Sequence, residues 1–122
     1  MAAPNIKSGS SVTTVTGKTV GYAVTTTMAA ALSNTSSSGK VLKVNSVYCA
    51  NVNGGAAADI SLEHYNGTTA YKLANTIAVP ADATQVLVTR EAYIYVEEGC
   101  SLRAQASSAN DLELVISYEE IS

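Results

Sequence analysis

The stretch Ala58-Asp59-Ile60-Ser61-Leu62-Glu63-His64-Tyr65-Asn66-Gly67-Thr68 carries the plainest structural signal in the chain. Ile60, Leu62 and His64 alternate with Asp59, Ser61, Glu63 and Tyr65. That is the period of two that a β-strand imposes by sending successive side chains to opposite faces. One row is apolar and the other polar, so the strand is expected to be buried on one face and wet on the other. Asn66-Gly67 follows at once. It is the strongest short hairpin signal available, a two-residue type I′ turn whose central residues both need positive φ. The chain is therefore expected to double back into residues 68–74.

The same period extends outward in both directions. Upstream, residues 40–52 set Leu42, Val44, Ser46, Tyr48, Ala50 and Val52 against Val41, Lys43, Asn45, Val47, Cys49 and Asn51. Both rows are partly apolar, which predicts a central strand covered on both sides at its middle. Before it, Val20, Tyr22 and Val24 share one face of a strand. Residues 28–32 form an Ala-rich run whose Thr and Ser/Asn flanks favour extended chain over a helical turn. Downstream, residues 76–79 form a short strand stopped by Pro80, and residues 80–83 turn the chain. Strands over 85–89 and 93–96, a tight acidic turn at Glu97-Glu98-Gly99, and a final pair over 101–106 and 111–119 complete the reading. In that last strand Leu112, Leu114, Ile116 and Tyr118 share a face. Eight to ten short strands spaced by roughly 8 to 12 residues, with no amphipathic helix, predict an all-β, antiparallel β-sandwich of jelly-roll type.

Residues 1–19 differ. They are rich in Ser, Thr, Gly and Lys, and Ile6, Val12 and Val15 are their sizeable apolar anchors. Alone, such a segment cannot bury enough surface to offset the entropy of ordering it. It reads as an extended N-terminal arm preceding one sandwich domain over 20–122, with residues 11–16 able to become a strand where an edge is offered. It either anchors on a neighbouring subunit or frays.

Composition narrows the function. The chain has 122 residues, enough for one domain, with 47% hydrophobic and only 14% charged residues and a net charge of −3. Nucleic-acid binders need a clustered Lys/Arg footprint, and none is present. No run approaches the roughly 18 apolar residues of a membrane span, and the start lacks a secretory apolar core. Seven Tyr with no Phe or Trp means that every large ring keeps a polar tip, which suits a rim or a contact surface. Cys49 and Cys100 lack metal-ligand spacing and read as two buried or half-buried thiols, with one disulfide as the alternative.

Catalysis and cofactor binding find little to work with. His64 is the single histidine, which excludes a histidine-based triad or a multi-histidine zinc site and leaves a core-facing or rim position. Glu97 and Glu98 are adjacent and point to opposite sides of extended chain, so they solvate a turn and make a poor acid/base pair. A calcium site among Asp82, Glu97, Glu98 and Asp111 is the remote alternative. Gly54-Gly55 has no Lys-Ser/Thr after it and so is not a phosphate loop. The sequons at Asn34 and Asn66 read as loop chemistry. No enzymatic activity, cofactor or metal is expected. What remains is a β module whose tyrosines, among them Tyr65, Tyr71 and Tyr95, are available for packing against other protein.

Several segments in order resemble small virion structural proteins of marine and cyanobacterial tailed phages. They are Gly39-Lys40-Val41-Leu42-Lys43-Val44-Asn45-Ser46, Ala58-Asp59-Ile60-Ser61-Leu62, Val79-Pro80-Ala81-Asp82-Ala83-Thr84, Tyr95-Val96-Glu97-Glu98-Gly99, and Ser117-Tyr118-Glu119-Glu120-Ile121-Ser122. They are distributed over residues 39–122, about two-thirds of the chain. Cys100 departs from the resemblance, which places Asp after Glu-Gly. The resemblance implies a virion component made in the cytoplasm of a bacterial host. The leading role is a capsid decoration or cement protein, a homo-oligomer with a trimer favoured, bound to the major capsid protein. The alternative is a tail, neck or fibre-associated part that could bind a receptor or glycan. The interface residues expected on either account are Ile6, Val12, Val15, Tyr65 and Tyr71.

Overall fold

A computed structural model describes residues 3–4 and 12–122 of the chain. The described residues form nine β-strands and one short 3₁₀ turn at Arg90–Ala92. The strands are β1 (Val15–Ala23), β2 (Ala29–Ser33), β3 (Val41–Asn51), β4 (Ala58–Tyr65), β5 (Ala70–Val79), β6 (Thr84–Val88), β7 (Ile94–Val96), β8 (Ser101–Ala106) and β9 (Leu112–Ile121). All pairings are antiparallel. Sheet A has the order β1-β9-β3-β6, with β7 also on β3, and sheet B has the order β2-β8-β4-β5. The chain is thus an all-β sandwich in which successive strands repeatedly change sheet.

Each strand sends one row inward. Leu42, Val44, Val47 and Cys49 of β3 and Leu112, Leu114 and Ile116 of β9 meet Ile60 and Leu62 of β4 and Leu102 and Ala104 of β8 in one core. With no Phe or Trp, the largest fully buried side chains are Ile and Leu. Tyr22 and Tyr118 pack on the margin of that core, while Tyr48, Tyr71 and Tyr93 stay outside.

Four local expectations are corrected. β3 is central, but its two faces are not both covered. Its register against β9 shifts between Val44 and Ser46, so Asn45 is an extra residue, and a bulge of this kind reverses the alternation beyond it. Leu42 and Val44 point inward before the bulge, Val47 and Cys49 after it, and Tyr48 is left outside. The Asn66-Gly67 hairpin forms, but not as type I′. Gly67 has φ 94° while Asn66 does not have positive φ, and the Asn66 N–H donates to the Thr69 carbonyl at 3.1 Å. The two residues between that pair are Gly67 and Thr68, and Gly67 supplies the positive φ the tight reversal needs. The Asn66 side chain closes the turn by accepting from the Thr68 and Thr69 N–H groups. The expected strands over 68–74 and 76–79 are one, β5, kinked where Thr76 has φ 49° and its N–H donates to Ser61 Oγ at 3.0 Å. Finally, β1 begins at Val15, inside the segment 1–19 expected to be an arm. The edge of β9 offers nine consecutive partners, from Ile121 to Glu113, and that ladder orders residues that could not order alone.

Each end of the sandwich is tied by one buried asparagine. Asn34 Nδ2 donates to the Lys40 and Val96 carbonyls at 2.8 and 3.0 Å, and its Oδ1 accepts from Ser38. Asn51 Nδ2 likewise donates to the Ala56 and Val79 carbonyls at 3.0 and 2.9 Å, and its Oδ1 accepts the Asn53 N–H. Three loops, 34–40, 66–69 and 97–100, meet at the first end; four, 24–28, 52–57, 80–83 and 107–111, meet at the second.

Candidate functional site

The outer face of sheet B is closed on itself. Glu63 of β4 lies directly between Lys72 of β5 and Arg103 of β8 in the ladder. Its side chain is only 5% exposed. Lys72 Nζ donates to Oε1 at 3.1 Å, while Arg103 donates from Nε at 2.8 Å, and again from Nη2, to Oε2. Burial by itself pushes the Glu63 carboxyl up, but the hydrogen bonds and charges of Arg103 and Lys72 outweigh it and hold the group below the usual carboxylate range. Tyr65 stacks on the Arg103 guanidinium at 4.0 Å, and its hydroxyl donates to the Gly67 carbonyl at 3.0 Å. Charge, aromatic ring and hydroxyl are all partnered within the chain.

The outer face of sheet A is different. Gly21 of β1 pairs with Val115 of β9, Val115 with Tyr48 of β3, and Tyr48 with Val86 of β6. The four positions form one row across four strands. Val115, Tyr48 and Val86 are 42%, 41% and 42% exposed. Single exposed apolar residues are ordinary, but a contiguous row is the surface expected where another molecule packs. Beside it lies a hollow of about 520 Å³ whose lining includes Asn45, Tyr48, Arg90 and Glu119. Asn45 Nδ2 donates to Glu119 Oε1 at 3.1 Å, and the bulge brings this amide to the face.

A second apolar groove, of about 390 Å³, runs along the open side of the sandwich between His64, Tyr71 and Leu73 of sheet B and Ile94 and Tyr95 of β7. His64 accordingly sits at a rim, as its alternation implied. Burial pushes the Tyr95 hydroxyl up, and the neighbouring Tyr93 adds to that.

The residues expected to form the interface are not brought together. Val15 is 54% exposed at the start of β1 and Val12, just before it, is half-buried. Tyr71 is 61% exposed in the groove, and Tyr65 is spent on Arg103. Ile6 lies outside the described residues. Tyr48, Val86 and Val115 were not singled out from the sequence. The signal for Val115 was legible: an apolar residue on the polar row of the last strand, between Glu113 and Ser117. Tyr48 was hidden by the bulge, which exchanges the two rows of β3.

Other candidates resolve as local structure. Glu97 and Glu98 belong to the end where loops 34–40 and 97–100 meet, and Asp82 and Asp111 to the opposite end, so the four carboxylates do not converge. Among the described residues no group of three or more His, Cys, Asp or Glu could hold a metal ion. Glu98 does more than solvate its turn: it accepts the Gly39 and Ala3 N–H groups at 2.9 and 2.6 Å, clamping two loops. Asn34 is no accessible acceptor for a glycan, because its Nδ2 is buried and donates twice. Cys49 and Cys100 are both buried and free. Burial pushes the Cys49 thiol up to about 11, which removes it as a nucleophile at neutral pH.

Comparison with family models, with curated proteins and with solved structures finds no match to this chain.

Proposed function

We propose that this protein is a structural component of a tailed-phage virion, and that it decorates and stabilises the capsid by packing the outer face of sheet A on another virion protein. The observation that carries the reading is the exposed row Val115-Tyr48-Val86 on a sheet whose opposite number is internally neutralised. The resemblance in sequence supplies the kind of assembly. The winding adds support: β1, β9, β3 and β6/β7 in one sheet and β2, β8, β4 and β5 in the other is a strand order that we read as a jelly roll, a fold common among shell-forming proteins.

The mechanism is linkage. A subunit that binds the assembled lattice and not its separate parts favours the closed shell by mass action, with no chemistry needed. Low surface charge and small side chains serve such packing, whereas a catalytic role would call for converging titratable groups. A tail, neck or fibre position is the same packing at a different symmetry.

The test is to count this chain in purified particles and to add it to particles stripped of it. Hundreds of copies, with a raised temperature of DNA release on re-addition, support decoration of the shell. About six or twelve copies move the protein to the tail or neck. Its absence from particles overturns the proposal.

A further inference from the structure

Three of the four sheet edges carry a device that spoils pairing with another strand. β2 has five residues and is bulged against β8 between Ala30 and Leu32. β5 is bulged twice against β4 and is kinked at Thr76. The far edge of sheet A is divided between the five residues of β6 and the three of β7 by the turn at Arg90–Ala92. β1 has no such device. It runs nine residues in unbroken register with β9, contains no proline, and carries one charge, Lys18. Among the described residues no strand pairs with its outer side. Long, flat, weakly charged edges are templates for another strand, and chains that remain monomeric blunt them.

We infer that β1 is a homotypic seam: two copies of the chain pair β1 to β1, antiparallel, about a two-fold axis at Thr19, and so join their two A sheets into one. This inference does not depend on the virion reading. In that register Thr19 meets the second copy's Thr19, Gly17 meets Gly21, Lys18 meets Val20, Thr16 meets Tyr22 and Val15 meets Ala23. Thr against Thr and a ring against a β-branched residue are favourable cross-strand pairs, and no like charges stand directly opposite. Lys18 is bound to Glu120 of β9 at 3.1 Å, a carboxylate it shares with Lys40 at 3.0 Å, and Val20 of the second copy stands opposite it, so the seam sets no cation directly against another.

Two further observations fit a second copy. Neither Gly17 nor Gly21 is required by a single chain. Neither has positive φ, and a Cβ added at either meets nothing within 4 Å. Glycine weakens a strand, and within a sheet it often marks the close approach of another backbone. Across the seam the two glycines face each other, leaving a flat strip that continues into the row at Val115. The area fits a concentration-dependent association. Nine residues at about 3.3 Å each give a seam about 30 Å long. β2, five residues further along the chain, forms the corresponding edge of sheet B, with the small side chains of Ala29, Ala30 and Ala31. With the sheets about 10 Å apart, this side of the sandwich offers roughly 300 Å² per copy, or about 600 Å² in all, the size of a weak, reversible contact. A two-fold seam gives a dimer in place of the expected trimer.

Analytical ultracentrifugation of the full chain at tens of micromolar tests this. The native protein is expected to be a dimer. The double variant Gly17→Lys/Gly21→Lys sets like charges opposite each other twice, and at least a tenfold loss of dimer affinity is expected with an unchanged β circular dichroism spectrum. Gly17→Lys/Gly21→Glu sets opposite charges there and is expected to restore the dimer. Thr19→Lys, which places two charges at the axis, is expected to break the dimer by one change if the double lysine variant does not fold. Tyr48→Ser, on the sheet face, leaves it intact. A native monomer or trimer overturns the inference. So does a dimer indifferent to lysine on this edge, or a charge-paired variant that stays monomeric.

Discussion

The two outer faces of the sandwich have the same backbone geometry and opposite chemistry. On sheet B, a carboxylate only 5% exposed is gripped by two cations, one of them stacked on a tyrosine, and the face is complete in a single chain. On sheet A, Val115, Tyr48 and Val86 present apolar surface that nothing among the described residues covers. A face that satisfies itself contributes to folding, whereas a face left apolar contributes to whatever it later packs against. Stability and association should therefore separate by face, and mutations can test the separation.

The largest effect is expected on sheet B. Glu63→Ala leaves Arg103 and Lys72 side by side without their anion and should cost about 2 to 3 kcal/mol, at the low end for a buried pair because both cations keep access to water. Urea denaturation measures it, and a loss below about 0.5 kcal/mol, the range of ordinary surface substitutions, would mean that the face is not self-supporting. Asn51→Ala comes next. It strands the buried Ala56 and Val79 carbonyls, and about 2 kcal/mol is expected by the same measurement.

Acid should act on a lowered carboxyl in each sheet. The Glu63 carboxyl is held below its ordinary range against the pull of burial, and Glu120 is lowered by hydrogen bonds from Lys40 and Lys18. A carboxyl with a depressed folded pKa contributes stability that is fully present above its unfolded value of about 4.3 and is lost as pH falls through the folded value. Stability should accordingly stay level above about pH 5 and decline below about pH 4. Glu63→Gln should make that decline shallower, and an unchanged slope would assign it to other groups. The smallest effect on folding belongs to sheet A. Tyr48→Ser and Val115→Asp should change stability by no more than about 0.5 kcal/mol while abolishing association through the face. A large loss of stability with association intact would reverse the comparison.

The sandwich itself was legible because period-two alternation is local, and the bounds of β4 and β8 follow directly from it. What alternation could not carry was the register. One extra residue at Asn45 exchanges the rows of β3, and that reversal placed Tyr48 outside. The seam of β1 was obscured by composition: Val15-Thr16-Gly17-Lys18-Thr19 looks unable to order itself, and it orders only because β9 lies beside it. For the same reason a deletion meant to remove the arm should stop before Val12. Removing residues 1–19 would take the first five residues of β1, and with them half of the proposed seam. The Glu63 cluster was hidden in a different way, since its three charges are far apart in sequence and meet only through the pairing of β5 and β8 with β4.

A cryo-EM map of the phage particle proposed to carry this chain is the most direct test. Tyr48, Val86 and Val115 are expected to lie against a neighbouring virion protein while Arg103 and Lys72 face solvent. A particle in which sheet B makes the contact and the row on sheet A stands open to water would contradict it.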